Sequence, residues 1–132
     1  MRDHCSYDYA VIRVVPRVER EEFVNVGVIV YCQERDFLDA RIEPDERKLL
    51  AIDSTLDLDA VREHLASILR ICRGGADAGP IGRLSPSERF RWLVSPRSTI
   101  IQTSPVHAGR CTDPADVLGH LIETMVLARS GR

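Results

Sequence analysis

The chain has 132 residues, 44% of them apolar and 29% charged, with a formal net charge of −2. That is the usual size of one domain, here expected to span residues 1–132, and it can bury a core without disulfides or a structural metal. The near-neutral balance argues against a polycationic surface for nucleic acid, and no stretch approaches the roughly 20 apolar residues of a membrane-spanning helix.

The segment from Tyr7 to Val15 is rich in Tyr, Val and Ile and stops at Pro16, which predicts a strand. A charged turn from Arg17 to Glu22 leads into FVNVGVIVYC. In this run Val24, Val26, Val28, Val30 and Cys32 fall on one face by period-two alternation, and Asn25 and Gly27 interrupt the other. Glycine within a strand marks a bulge or a close approach by another chain, while Asn25 is placed either to bind a ligand or to tie a neighbouring loop. Gln33 to Asp36 makes a hairpin, and Phe37 to Ile42 returns as a third strand.

Helices follow. A short one is expected within Pro44 to Ile52, and a firmer one over Asp57 to Arg73, where Leu58, Val61, Leu65, Ile68, Leu69 and Cys72 line one face. Gly74 suits its C-terminal end, and Gly74 to Gly82 reads as a flexible loop, the candidate hinge. Ser85, Pro86 and Glu88 form a capping-box pattern that starts a helix ending near Val94. Thr99 to Ser104 reads as a fourth strand. Asp113 caps a last helix, with Pro114 in its first turn and an apolar stripe from Val117 to Val126. The order βββ-ααα-β-α predicts an α+β fold: an antiparallel sheet of about four strands with helices mainly on one face.

The opening MRDHCSYDY is charged and has no apolar leader, so the cytoplasm is the expected compartment. Cys5, Cys32, Cys72 and Cys111 lie far apart without paired spacing and read as reduced thiols. Only Lys48 among the 18 basic residues is a lysine. The arginines are scattered along the chain, as codon usage would leave them, and they cannot all be ligands.

Two stretches, YDYAVIRVVPRVEREEFVNVGVIVY and RFRWLVSPRSTIIQTSPVHAG, resemble the two blocks of the bacterial family called domain of unknown function 3037. The resemblance implies a shared fold but no reaction. It places the family's motif positions on Asn25, Gly27, Trp92, Pro96, Arg97, Ser98, Gln102, Ser104, Pro105 and His107. It also implies a protein partner, since such proteins are often encoded beside a HipA-like kinase protein.

Chemistry concentrates in residues 83–110, where Arg83, Arg89, Arg91, Arg97 and Arg110 face one acid, Glu88. Residues 33–63 carry twice as many acids as bases, so an anion would choose the basic half. The turn SPRST offers a guanidinium, hydroxyls and backbone donors in one loop, the kind of cluster that binds phosphate. An anion site is therefore expected from Arg91, Arg97, Ser98, Thr99, Gln102, Ser104 and His107; the plainer reading is a solvated turn that ties off a helix. Trp92 could stack on a base or a guanidinium, though a lone tryptophan more often fills a core.

His107 could activate Ser98, Ser104 or Cys111, but no strained nucleophile elbow is present and no orienting acid can be assigned beyond Asp113. His4, Cys5, His107 and Cys111 lack the close pairing of a zinc site. No catalytic residue, metal or cofactor is assigned. The preferred reading is a binding or adaptor module with a protein partner and a phosphate-bearing ligand at the Arg97 loop. The alternative is a small enzyme acting on a phosphorylated or nucleotide substrate.

Overall fold

The computed structural model describes residues 4–97 and 99–127. Three strands, β1 (Cys5–Val14), β2 (Val24–Cys32) and β3 (Phe37–Ile42), form the antiparallel meander that the alternation predicts. Helices α1 (Glu46–Ile52), α2 (Leu58–Arg73) and α3 (Pro86–Val94) follow. Asp45, Asp57 and Ser85 each accept a backbone N–H at the start of a helix, and the capping box of α3 is complete. Two further strands, β4 (Ile101–Thr103) and β5 (His107–Cys111), precede α4 (Pro114–Leu121), which Asp113 caps and which runs on as a π-helical turn over Ile122–Leu127.

The sheet thus has five strands in the order β3-β2-β1-β4, with β5 also on β1. β4 and β5 form one edge broken by a one-residue slip: Thr103 lies opposite Ile12, whereas His107 lies opposite Tyr9. The break falls at Ser104–Val106, because Pro105 has no N–H for the ladder. Sequence reading misses β5, since HAGRC has little intrinsic strand preference. Its partner supplies the reason: Gly109 opposes Tyr7, and a Cβ there would come within 2.5 Å of the Tyr7 hydroxyl.

A second irregularity lies between β1 and β2. Ile12 pairs with Gly27 but Arg13 pairs with Asn25, so Val26 is the extra residue of a bulge. A side chain at Gly27 would meet the Arg41 carbonyl at 2.7 Å. This bulge corrects the expected single apolar face of β2. Val24, Val26 and Ile29 join the core beneath α1, α2 and α3, with Leu49, Val61, Leu65, Ile68, Phe90 and Leu93. Val28 and Val30 instead pack against Leu118, Leu121 and Ile122. Three of the four α-helices therefore cover one face, and α4 covers the other.

The Gly74–Gly82 stretch is not a loose hinge. It folds into 3-10 turns over Ala76–Arg83, held by the Gly75 N–H on the Gly82 carbonyl at 2.9 Å, with Gly82 buried. Cys5, Cys32 and Cys111, distant in sequence, also converge on one buried cluster, with the Cys5 and Cys111 sulfurs 3.7 Å apart. All four cysteines are free thiols, and burial pushes the Cys72 thiol up to about 12.

Candidate functional site

The basic segment dissolves on folding into separate structural duties. Arg89 is buried, and its guanidinium donates to the carbonyls of Ile71 (2.9 Å), Cys72 (3.0 Å) and Leu84 (3.2 Å), closing the C-terminal end of α2. Arg97 does the same for α3. Its Nη1 donates to the Leu93 carbonyl at 3.5 Å, its Nη2 donates to the Trp92 carbonyl, and the guanidinium lies 4.1 Å from the centroid of the Trp92 ring. Arginine is suited to the negative end of a helix dipole, where an anion is not. Trp92 is 40% exposed because α3 turns Arg89, Phe90 and Leu93 inward instead, so the expected core tryptophan is a surface platform for Arg97.

The hydroxyl and amide donors nearby are committed as well. Thr99 Oγ1 donates to the Ile101 carbonyl at 2.7 Å, and Gln102 Nε2 donates to the Thr99 carbonyl at 2.8 Å. The recess among His64, Trp92, Arg97 and Gln102 measures about 40 Å³, room for water but far below a nucleotide. Partial desolvation lowers the His64 pKa, and the Arg97 charge lowers it further. Arg91, like Arg83 and Arg110, is exposed. Ser98 lies outside the described residues.

Ser104 and His107 are not part of this cluster. Ser104 is buried at the break between β4 and β5, where its hydroxyl accepts the Val11 N–H at 2.9 Å and donates to the Pro105 carbonyl at 2.9 Å. It replaces the ladder bond that the bulge disrupts. His107 is exposed, with its ring 5.3 Å from that of Tyr9 across the sheet. Among the described residues neither serine nor cysteine is hydrogen-bonded to His107, and no group of three or more His, Cys, Asp or Glu is placed to hold a metal ion.

The arrangement that stands out is at the β1–β2 bulge, and of its residues only Asn25 was a sequence candidate. Asn25 Nδ2 donates to the Met125 carbonyl at 3.0 Å, tying β2 to the π-helical turn, so the loop-tying role holds for one half of the amide. The other half, Oδ1, is buried with no partner from the protein. Its cross-strand neighbour Arg13 likewise has a buried Nε with no protein partner. These are the two buried side-chain polar atoms left unpaired among the described residues. The bulge explains the pair. It offsets the two strands by one residue, so that Arg13 stands opposite Asn25.

Phe23 is 46% exposed and lies over Arg13, with the guanidinium carbon 4.1 Å from its ring centroid. A recess of about 330 Å³ is lined by Phe23, Asn25, Lys48, Ile52, Met125 and Val126. A concave recess that combines apolar side chains with polar groups is a usual form of binding site. The signal in sequence was Asn25 interrupting an otherwise apolar strand; Arg13 and Met125 could not be assigned, because the first is brought opposite Asn25 by the bulge and the second depends on where α4 ends.

The model of the family described as Protein of unknown function (DUF3037) matches residues 9–126, so the chain belongs to that family. Neither the curated proteins nor the solved structures contain a match to it.

Proposed function

We propose that this member of the DUF3037 family is a protein-binding module whose contact site is the recess at the bulge, lined by Phe23, Asn25 and Met125, with Arg13 opposite Asn25. The observation that carries the reading is the pair of buried, unpartnered polar atoms, Asn25 Oδ1 and Arg13 Nε, on cross-strand neighbours, with Asn25 lining a recess shared with Phe23, Ile52 and Met125. A buried polar group without a partner costs about 1–3 kcal/mol, and a native fold keeps such a cost where something else relieves it. One acceptor and one donor on cross-strand neighbours match the N–H and C=O of a peptide. The occupant is therefore an extended segment of a partner protein. It places an apolar side chain between Phe23, Ile52 and Met125 and gives a backbone N–H to Asn25 and a carbonyl to Arg13. Met125 suits the role, since an unbranched thioether adapts to the shape it meets. A HipA-like kinase protein, suggested by the family resemblance, is the first partner to try.

Isothermal titration of that kinase protein into the wild-type chain, Asn25→Leu and Phe23→Ala tests the reading. A parallel selection from a displayed library of random peptides covers other partners. Each substitution is expected to weaken binding about tenfold or more with the fold retained, the usual effect of removing an interface anchor. Unchanged affinity in both variants would leave Asn25 and Arg13 to hydration alone and remove the site.

A further inference from the structure

Among the described residues β3 is an outer edge of the sheet, since the strand order begins with it. The Ala40 N–H bonds the carboxylate of its own neighbour Asp39 at 2.8 Å, so it points away from β2. The Glu43 N–H, three residues on, donates to the Val26 carbonyl and so points toward β2, as the alternation requires. Leu38, Ala40 and Ile42 therefore present their backbone groups outward. A groove of about 750 Å³ follows this edge, lined by residues 36–42 and by Leu69, Cys72, Arg73, Pro86 and Arg89.

The sequence of the edge is complementary to itself. Read outward from Ala40, the neighbours are Asp39 and Arg41, then Leu38 and Ile42. An antiparallel strand of identical sequence, related by a two-fold axis at Ala40, sets Ala40 against Ala40, Asp39 against Arg41 and Leu38 against Ile42. In that register every outward N–H meets an outward carbonyl. Asp39 and Arg41 are both exposed on one face, where each would pair with its opposite in the other copy. Leu38 and Ile42 lie on the other face beside the core. A shift by two residues in either direction sets Asp39 against another Asp39, or Arg41 against another Arg41, so charge selects the register. The present bonds of these side chains are local and exposed: Arg41 reaches Glu43 at 3.4 Å, and Asp39 holds its own neighbour. Neither would hold the edge against an incoming strand.

We infer that a second copy of this chain docks on β3, joining two sheets into one continuous antiparallel sheet across a two-fold axis at Ala40. This is an isologous interface, the commonest symmetry of soluble assemblies. It uses the edge opposite β4 and β5 and is independent of the bulge recess.

Sedimentation of the full chain, whose mass is 14.9 kDa, tests it across a concentration series reaching into the high micromolar range. The wild type is expected to move to twice that mass. Asp39→Arg or Arg41→Asp alone places like charges opposite each other twice and should weaken the dimer about tenfold or more. The double variant carrying both changes should restore it. Circular dichroism checks that each variant is folded. A wild type that stays monomeric at every concentration overturns the inference. So does a dimer that either single reversal leaves intact, or one that the double variant fails to restore while remaining folded.

Discussion

The Arg97 loop and the β1–β2 bulge make an instructive pair. In the sequence the loop looks like the site: it is dense in arginine, serine and threonine and lies in the more basic part of the chain. In the structure nearly every donor described there already has an acceptor, and two arginines of the segment close helix ends. The bulge looks bland in sequence, one asparagine in a valine-rich strand, yet it holds the two unpaired buried polar atoms among the described residues. What marks a site is the hydrogen-bonding capacity left over after folding, and the number of polar residues is a poor guide to it.

The difference can be broken or sharpened by experiment, and the largest effect is expected at Arg89. Arg89→Ala strips three carbonyls of their donor in a buried position and should cost about 2–3 kcal/mol, the scale for bonds to a charged group. Arg97→Ala, half-exposed, should cost about 1 kcal/mol through loss of the α3 cap and the Trp92 contact. Urea denaturation reads both. An Arg97→Ala variant as stable as wild type would return the guanidinium to ligand duty.

Asn25→Leu should behave in the opposite sense. It loses one bond to Met125 but removes the buried unpaired oxygen, so stability should hold or rise by about 1 kcal/mol while binding is lost. A loss of more than about 2 kcal/mol would show that Asn25 is structural cement and that the recess has no need of a partner.

The smallest effect is at His64. Its folded pKa is held below the ordinary 6.5 by desolvation first and by Arg97 second. The unfolded chain therefore binds the proton more readily, and the stability this group contributes is present above about pH 6.5 and lost as pH falls through the folded value. Followed by NMR, the His64 ring should titrate below 6.5 in the wild type and move upward in Arg97→Ala. An unmoved midpoint would mean that Arg97 does not face His64.

The local devices were legible from the chain. Asp57, Ser85 and Asp113 cap helices as their positions indicate, and the meander of β1, β2 and β3 follows from alternation and turn residues. What could not be read depends on offsets of a single residue. Val26 slips the β2 register and sends Val28 to the opposite face from Val26, and Pro105 splits one edge strand into β4 and β5. Strand periodicity has no memory of such a slip, and one extra residue inverts every assignment beyond it. At the Arg97 loop, the sequence lists donors without the helix-end carbonyls that take up Arg89 and Arg97.

A strand covered on both faces has a consequence for folding. Beyond the slip β2 alternates between two packed layers, giving Ile29 to the side under α2 and Val28 and Val30 to the side under α4. Detaching α4 would strip one side of the strand whose other side holds α2, so neither layer can loosen alone. The strand acts as a rivet through both layers, and their melting is expected as a single cooperative event.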